Sequence, residues 1–581
     1  MISGAVLRSF TAWSIHTTKA CSSVGFFGWF AVLALTALYI HWLFPAGFIE
    51  GTHPYWGAQN QDITQYLAGF EAYFREPWHW PLWRIESLNW PFGTLTTFVD
   101  AIPLYAAILK ALAPQSWSDP NPFGYWVALC LLLQATGAWW ILREAQVRSW
   151  VALLSLTILL ITFPAWLYRM GHISLLSHWL IVFAFALILR GERTNRFPAW
   201  AWTALLICAL FINIYLFCMV ALLCAAPALH RACTKPLAPF LYWVLATAAF
   251  TGLCIWAFMW PLPAATGQVD FGFGIYSLNL LSLFVGGRWF SHIPNAFSPE
   301  QHFEGFNYLG FGLMLLIATA ALICLWQRLL RNQSKVRPIQ NTNLAAPRHH
   351  PSNHRFLVLI LVLMCAYAFS NRIYWGDQLI LEWAVPSWAQ GIPGQLRASG
   401  RFFWPVGYAL IIYSVIFIAR TVSPQKSALI FTIVLALQIW DLDPHFDRLR
   451  RITPGANPSI IDFKEWQSSI PQESTTLYFF PKMKCAQHSQ AIDTLLPVMR
   501  FASHTQRALN TGYLARYNPI CGQERAEIAQ SNVAHSAYIF VDAEYSAGTI
   551  ASLFPVSWQV QCSPQNFASV CTAVDSTKDK R

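Results

Sequence analysis

Charge is what this chain has least of. Asp, Glu, Lys and Arg make up 11% of its 581 residues, and the 27 acids are outnumbered by 38 Lys and Arg. So few charges exclude a water-soluble globule of this size and a disordered polar chain alike. Other absences narrow the reading. No repeat of 20–50 residues runs through the sequence, which removes solenoids and propellers. No cysteine spacing resembles a zinc site, and no glycine loop carries a phosphate-binding lysine between a strand and a helix. The stretch from Met1 to Ser23 lacks a compact apolar core followed by a small-residue cleavage site, so the first apolar segment is expected to remain as an anchor.

What is present is apolar and aromatic: 56% hydrophobic residues and 16% Phe, Trp and Tyr, with a mean hydropathy of +0.40. This composition predicts an α-helical polytopic membrane protein. The net charge of +11 does not point to nucleic acid, because the cations gather in short segments between apolar runs, as a topology signal does. Long apolar runs lie at Phe26–Leu43, Phe123–Ile141, Val151–Tyr168, Ile173–Leu189, Ala199–Leu229, Phe240–Trp260, Tyr308–Leu330, Phe356–Phe369, Phe402–Ile418 and Ala428–Trp440. The shorter Ala101–Leu112 reads as a tilted span, a re-entrant piece or an interfacial helix, and the long Ala199–Leu229 as a kinked helix or a tight pair. Together they predict about eleven transmembrane helices.

The segment Arg328–Arg355, with Arg331, Lys335, Arg337 and Arg348 and no acid, marks the cytoplasmic side. The segments Pro45–Val99, Pro261–Glu304 and Asn371–Gly400 then face outward. After Trp440 the composition becomes that of a soluble domain. The expected division is residues 1–451 as the transmembrane domain and 452–581 as a small α/β or β-rich extracytoplasmic domain, with strands near Thr475–Phe480 and Ala537–Val541. Its four cysteines allow two disulfides, and Cys485–Cys521 with Cys562–Cys571 is the pairing that sequence proximity favours.

Acids beside a bilayer are costly unless solvated or paired, which singles out Asp62 and Asp100 in the first outer loop and Glu304 before a later span. Asp62 reads equally as a catalytic base and as the N-cap of a helix Ile63–Phe74, with Gln65 closing a capping box. Trp56, Trp78, Trp80, Trp83 and Trp90 suit an interfacial belt, with sugar stacking as the alternative. Arg169 and His172 sit at an expected outer helix end, where Arg offers a forked donor set for phosphate. Asn307 and Tyr308 follow Glu304 closely. Arg397 and Arg401, four apart, would share one helix face and call for an anion between them. Asp441 and Asp443 look like a metal-type pair, but a helix-end or loop role is the better reading, and the glycines after Asp270 read as turns.

Taken as an ordered set, Asp62 with its Asp-x-x-Gln-Tyr context, the Pro-Trp-His-Trp-Pro run, Asp100, Gly171-His172, Glu304-Gly-Phe-Asn-Tyr-Leu-Gly and Arg397-Ala-Ser-Gly-Arg resemble a bacterial domain-of-unknown-function family of GT-C-like polytopic membrane glycosyltransferases. The resemblance spans most of the membrane portion. It implies a GT-C fold in the bacterial inner membrane and a sugar donor linked to polyprenyl phosphate or diphosphate. Asp62 would be the base, with Arg397 or Arg401 on the donor phosphate, and the acceptor an envelope glycan, lipid or protein. Asp100 and Glu304 stand as further catalytic candidates, and Arg169, His172, Asn307 and Tyr308 as substrate-binding ones. The first outer loop has no Asp-x-Asp, so a metal-independent, inverting reaction without cofactor is expected. A lipid or glycolipid transporter, or an envelope assembly protein without catalysis, is the competing expectation. Nucleic acid is not expected as a partner.

Overall fold

The computed structural model describes residues 25–57, 62–114, 116–261, 272–287, 290–292, 304–333, 352–452, 461–515 and 517–575. The stretch Met1–Ser23, Gln59–Gln61, Asp270 and most of the basic segment Arg328–Arg355 lie outside the described residues.

Nine described helices are long and apolar enough to cross a membrane: Gly25–Leu43, Phe123–Glu144, Trp150–Gly171, Ile173–Thr194, Ile214–Thr234, Ala238–Phe258, Phe311–Leu330, Ser399–Thr421 and Pro424–Arg450. They make the protein membrane-associated. The expectation of about eleven spans is too high, for reasons of length. Pro103–Leu112 and His354–Phe369 are shorter apolar helices, reaching about 15 and 24 Å at 1.5 Å per residue, below a 30 Å hydrocarbon core. The run Ala199–Leu229 is not one helix either. Asn213 adopts an extended backbone (φ −159°, ψ 130°) and accepts a hydrogen bond from the Tyr215 amide, ending Ala199–Ile212 and capping Ile214–Thr234.

Close helix approach rests on small residues. A Cβ at Gly137 would stand 2.5 Å from Val182, so Phe123–Glu144 meets Ile173–Thr194 almost backbone to side chain. Buried Gln134 ties three helices by donating to the Leu160 carbonyl (2.7 Å) and the Tyr408 hydroxyl (2.9 Å).

The C-terminal region folds as a five-stranded sheet in the order Ala508–Leu509, Thr476–Phe480, Ser536–Val541, Ala568–Asp575, Trp558–Pro564. The first three strands are parallel and the last two add antiparallel. Every residue of the central strand Ser536–Val541 is buried, as a strand covered on both faces must be. Cys485–Cys521 and Cys562–Cys571 form disulfides, the pairing expected from proximity. This unit is docked firmly on the segment that follows the first apolar helix. Leu509 donates its amide to the Ser87 carbonyl, Trp90 to Leu509, and Ala515 to Phe98, so the loop extends the sheet edge. Below them the helix Ser489–His504 lies on the loop helix Asp62–Arg75, where the fully buried Glu71 carboxylate meets Arg75 (2.7 Å), Arg500 (2.9 Å) and His504 (3.1 Å).

Candidate functional site

Five of the spans, beginning at Phe123, Ile173, Ile214, Phe311 and Ser399, start at one end of the bundle, and Trp150–Gly171 finishes there. Their first turns carry the partial positive charge of helix N-termini, which favours carboxylates and other anions nearby. Three of the carboxylates at this end, Asp62, Asp100 and Glu304, gather into one cluster.

Glu304 is the hub. It is 6% exposed, and Arg169 reaches it twice, through Nη1 to Oε2 and through Nη2 to the backbone carbonyl at 2.9 Å. Arg401 donates Nε (3.0 Å) and Nη2 (2.7 Å) to the same Oε2. His172 places Nε2 3.3 Å from Glu304 Oε1 and Nδ1 3.3 Å from Asp62 Oδ2, bridging the two carboxylates. Burial alone would raise the Glu304 carboxyl. Arg169 and Arg401, then His172, outweigh it and hold the group well below the usual carboxylate range.

Two glycines make this crossing possible. A Cβ on Gly305 would lie 1.8 Å from the Ser277 carbonyl oxygen, and one on Gly400 would lie 2.6 Å from Gly305 Cα. Only bare backbone fits, and it sets Glu304 against Arg401. Asn307 clasps the two turns, its Nδ2 donating to the Gly305 (3.0 Å) and Gly400 (2.9 Å) carbonyls.

Asp62 opens the loop helix and keeps 43% of its side chain exposed. Gln65, expected to close a capping box with it, sends its amide to the Tyr513 carbonyl at 2.8 Å. Gly69 lets the loop helix ride directly on Val99, which brings the next residue, Asp100, into the cluster. Burial pushes the Asp100 carboxyl up to about 6; His172 and Arg401 pull it down and Asp62 adds to the rise.

The single helix face expected to carry Arg397 and Arg401 together does not form. Ala398 leaves helical geometry (φ −81°, ψ 69°), so Arg401 turns to Glu304 while Arg397 lies 5.8 Å from the Tyr276 ring. The cations that grip an anion are Arg169 and Arg401, and the anion is Glu304. Tyr308 points away from the cluster: its hydroxyl donates to Asp441 Oδ2 at 2.7 Å. Asp441 also accepts from Ser291 and from the Phe311 amide, which is a helix-end role. Trp56 and Trp83 are buried, while Trp78, Trp80 and Trp90 are exposed. Gly272 and Gly274 take positive φ in turns.

Of the tyrosines around the cluster, Tyr66 closes the Asp-x-x-Gln-Tyr context, while Tyr215 and Tyr513 carry no motif and gave no signal in the sequence. Tyr66 meets Ser174 (3.3 Å), which also accepts from Asn213 (3.0 Å). The Tyr215 ring lies under Arg401 at 4.6 Å. Burial raises the Tyr513 phenol, with Asp62 adding, Arg397 opposing and Asp100 adding again, so the C-terminal unit contributes to the site's wall. A cavity of 950 Å³ lies on the far side of the loop helix, walled by Thr64, Leu67, Trp56, Asn121, Arg500 and His504 among others. Among the described residues no three His, Cys, Asp or Glu side chains are arranged to hold a metal ion.

Fold and site define a membrane-associated helical bundle with an arginine-fixed carboxylate cluster at one end, roofed by a small sheet domain. The chain belongs to the family described as Domain of unknown function (DUF6311), whose model matches residues 33–443, and the DUF6311 C-terminal domain matches residues 465–562. No curated protein matches it.

Proposed function

We propose that the protein is a membrane glycosyltransferase that moves a sugar from a polyprenyl-phosphate-linked donor to a cell-envelope acceptor, on the outer face of a bacterial inner membrane. The observation that carries this reading is the chain of contacts from the solvent-reachable Asp62 through His172 to the arginine-fixed Glu304. In the reaction, Asp62 takes the acceptor hydroxyl's proton as that oxygen attacks the anomeric carbon. The bond from this carbon to the phosphate oxygen breaks, and polyprenyl phosphate leaves with the electron pair, inverting the centre. Glu304, kept ionised by its two arginines, orients His172, and His172 in turn holds the Asp62 carboxylate in place for the acceptor. Arg397 and the further N–H donors of Arg401 meet the leaving phosphate. Two disulfides in the C-terminal unit fit an oxidising compartment and support its extracytoplasmic placement.

The test is release of labelled polyprenyl phosphate from a panel of lipid-linked sugars by purified protein in nanodiscs. Asp62→Asn should lower turnover by roughly 10²–10⁴-fold while melting stays unchanged. Full transfer by the folded variant would move the base to Asp100 or Glu304, and movement of intact donor across the bilayer without cleavage would favour a transporter.

A further inference from the structure

A second cavity, of 450 Å³, lies at the opposite end of the same helices. Ile173–Thr194 and Ile214–Thr234 start beside the charge cluster and end at this cavity, about 30 Å away at 1.5 Å per residue. Its volume is that of a small-ligand site.

Its charge is one-sided. Arg196, Arg231 and Lys235 line it against one acid, Glu192. The other carboxylate at this end, Glu144, is taken up by Arg193 at 2.6 Å, and Glu192 lies 3.7 Å from His354. Arg231 gives one N–H to the Pro236 carbonyl at 3.3 Å, leaving guanidinium donors over. The helices Ala199–Ile212 and Ala238–Phe258 begin in its wall, at Ala199 and at Pro239, so two positive helix ends add to the three side-chain cations. A metal cation has no carboxylate set to bind there. Beside the cations stands an apolar wall that includes Ile188, Trp243 and Leu357, and Trp243 is locked by donating its indole N–H to the Ala199 carbonyl (3.0 Å) and to Thr203 (2.9 Å).

We propose that this cavity binds a phosphate group, presented by an anionic lipid headgroup or free in the aqueous phase. The guanidinium fork and the ammonium supply charge-assisted donors, and the apolar wall accommodates what a lipid phosphate carries with it. The site is independent of the transfer reaction proposed above.

Native mass spectrometry of the full chain, released from nanodiscs of equal phosphatidylglycerol and phosphatidylcholine, reads the site directly. The wild type should retain phosphatidylglycerol selectively, and inorganic phosphate should displace it. The Arg196→Gln, Arg231→Gln, Lys235→Gln variant should bind roughly tenfold or more weakly, whereas Arg196→Lys with Arg231→Lys, which keeps the charge, should retain it. Saturable binding of inorganic phosphate, lost in the Gln variant and without lipid selectivity, assigns the site to free phosphate. Equal lipid retention and equal phosphate binding by wild type and the folded Gln variant would overturn the proposal.

Discussion

Three carboxylates share one site and differ only in what surrounds them. Glu304 is gripped by two arginines, Asp62 is open to solvent, and Asp100 is desolvated on a backbone turn of positive φ (54°), followed by the β-branched Ile102 at φ 52°. Such a conformation at Ile102 is strained and is held only by its surroundings. Folded Asp100 keeps its proton up to about pH 6, against an ordinary value of 3.8. Between those values the native state binds more proton than the unfolded chain, so stability falls as pH rises through the window. Glu304 has the opposite sign, its contribution disappearing only as pH drops below 4.5 through its lowered folded value. Urea unfolding in detergent from about pH 4 to 7 should show the downward slope in the wild type and lose it in Asp100→Asn; an unchanged slope would assign the titration to another group. At this scale the sequence was partly readable. Acids and arginines beside apolar runs are expensive, so Asp62, Asp100, Glu304, Arg169, His172 and Arg401 stood out, and they do converge. Their pairing was not readable, because the spacing of Arg397 and Arg401 presumes a helix that Ala398 breaks.

Elements were legible where periodicity or length speaks for itself. The strands Thr476–Phe480 and Ser536–Val541 fall where β-branched and aromatic residues cluster, and the longest apolar runs became helices. The break at Asn213 was hidden, since the residues on both sides are apolar and only an extended backbone at one position separates two helices. Equally hidden was the contact of two short turns, Glu304–Asn307 and Ser399–Arg401, which no local pattern announces. That contact yields a sharp expectation. Gly400→Ala must push the Gly305 backbone, 2.6 Å from its Cβ, out of place and should cost about 3 kcal/mol or more, whereas Gly391→Ala, with nothing within 4 Å of its Cβ, should leave thermal unfolding close to wild type. Equal melting of the two variants would mean the turns are not in contact.

The whole molecule joins a sheet domain to a helical bundle through residues far apart in the chain. Gln65 and Tyr513 are separated by 448 positions, a distance that composition cannot bridge, which is why the C-terminal unit reads from sequence as an appendage and is instead a roof. Its disulfides bear on sidedness. A phosphatase reporter fused after Arg581 should be active, and non-reducing mass spectrometry should recover both Cys485–Cys521 and Cys562–Cys571. Closing the 36-residue separation of the first stabilises by about 3–4 kcal/mol in the chain-entropy picture, so reductant should loosen the unit before the bundle. Free thiols and an inactive reporter would turn the molecule over. The loop helix gives the assembly its mechanics. Asp62 and Glu71 ride nine residues apart on one stiff rod, the first in the charge cluster and the second clamped by Arg500 and His504 of the roof. Roof and site therefore keep step: a tilt of the sheet domain is delivered along that rod as a displacement of Asp62 relative to His172.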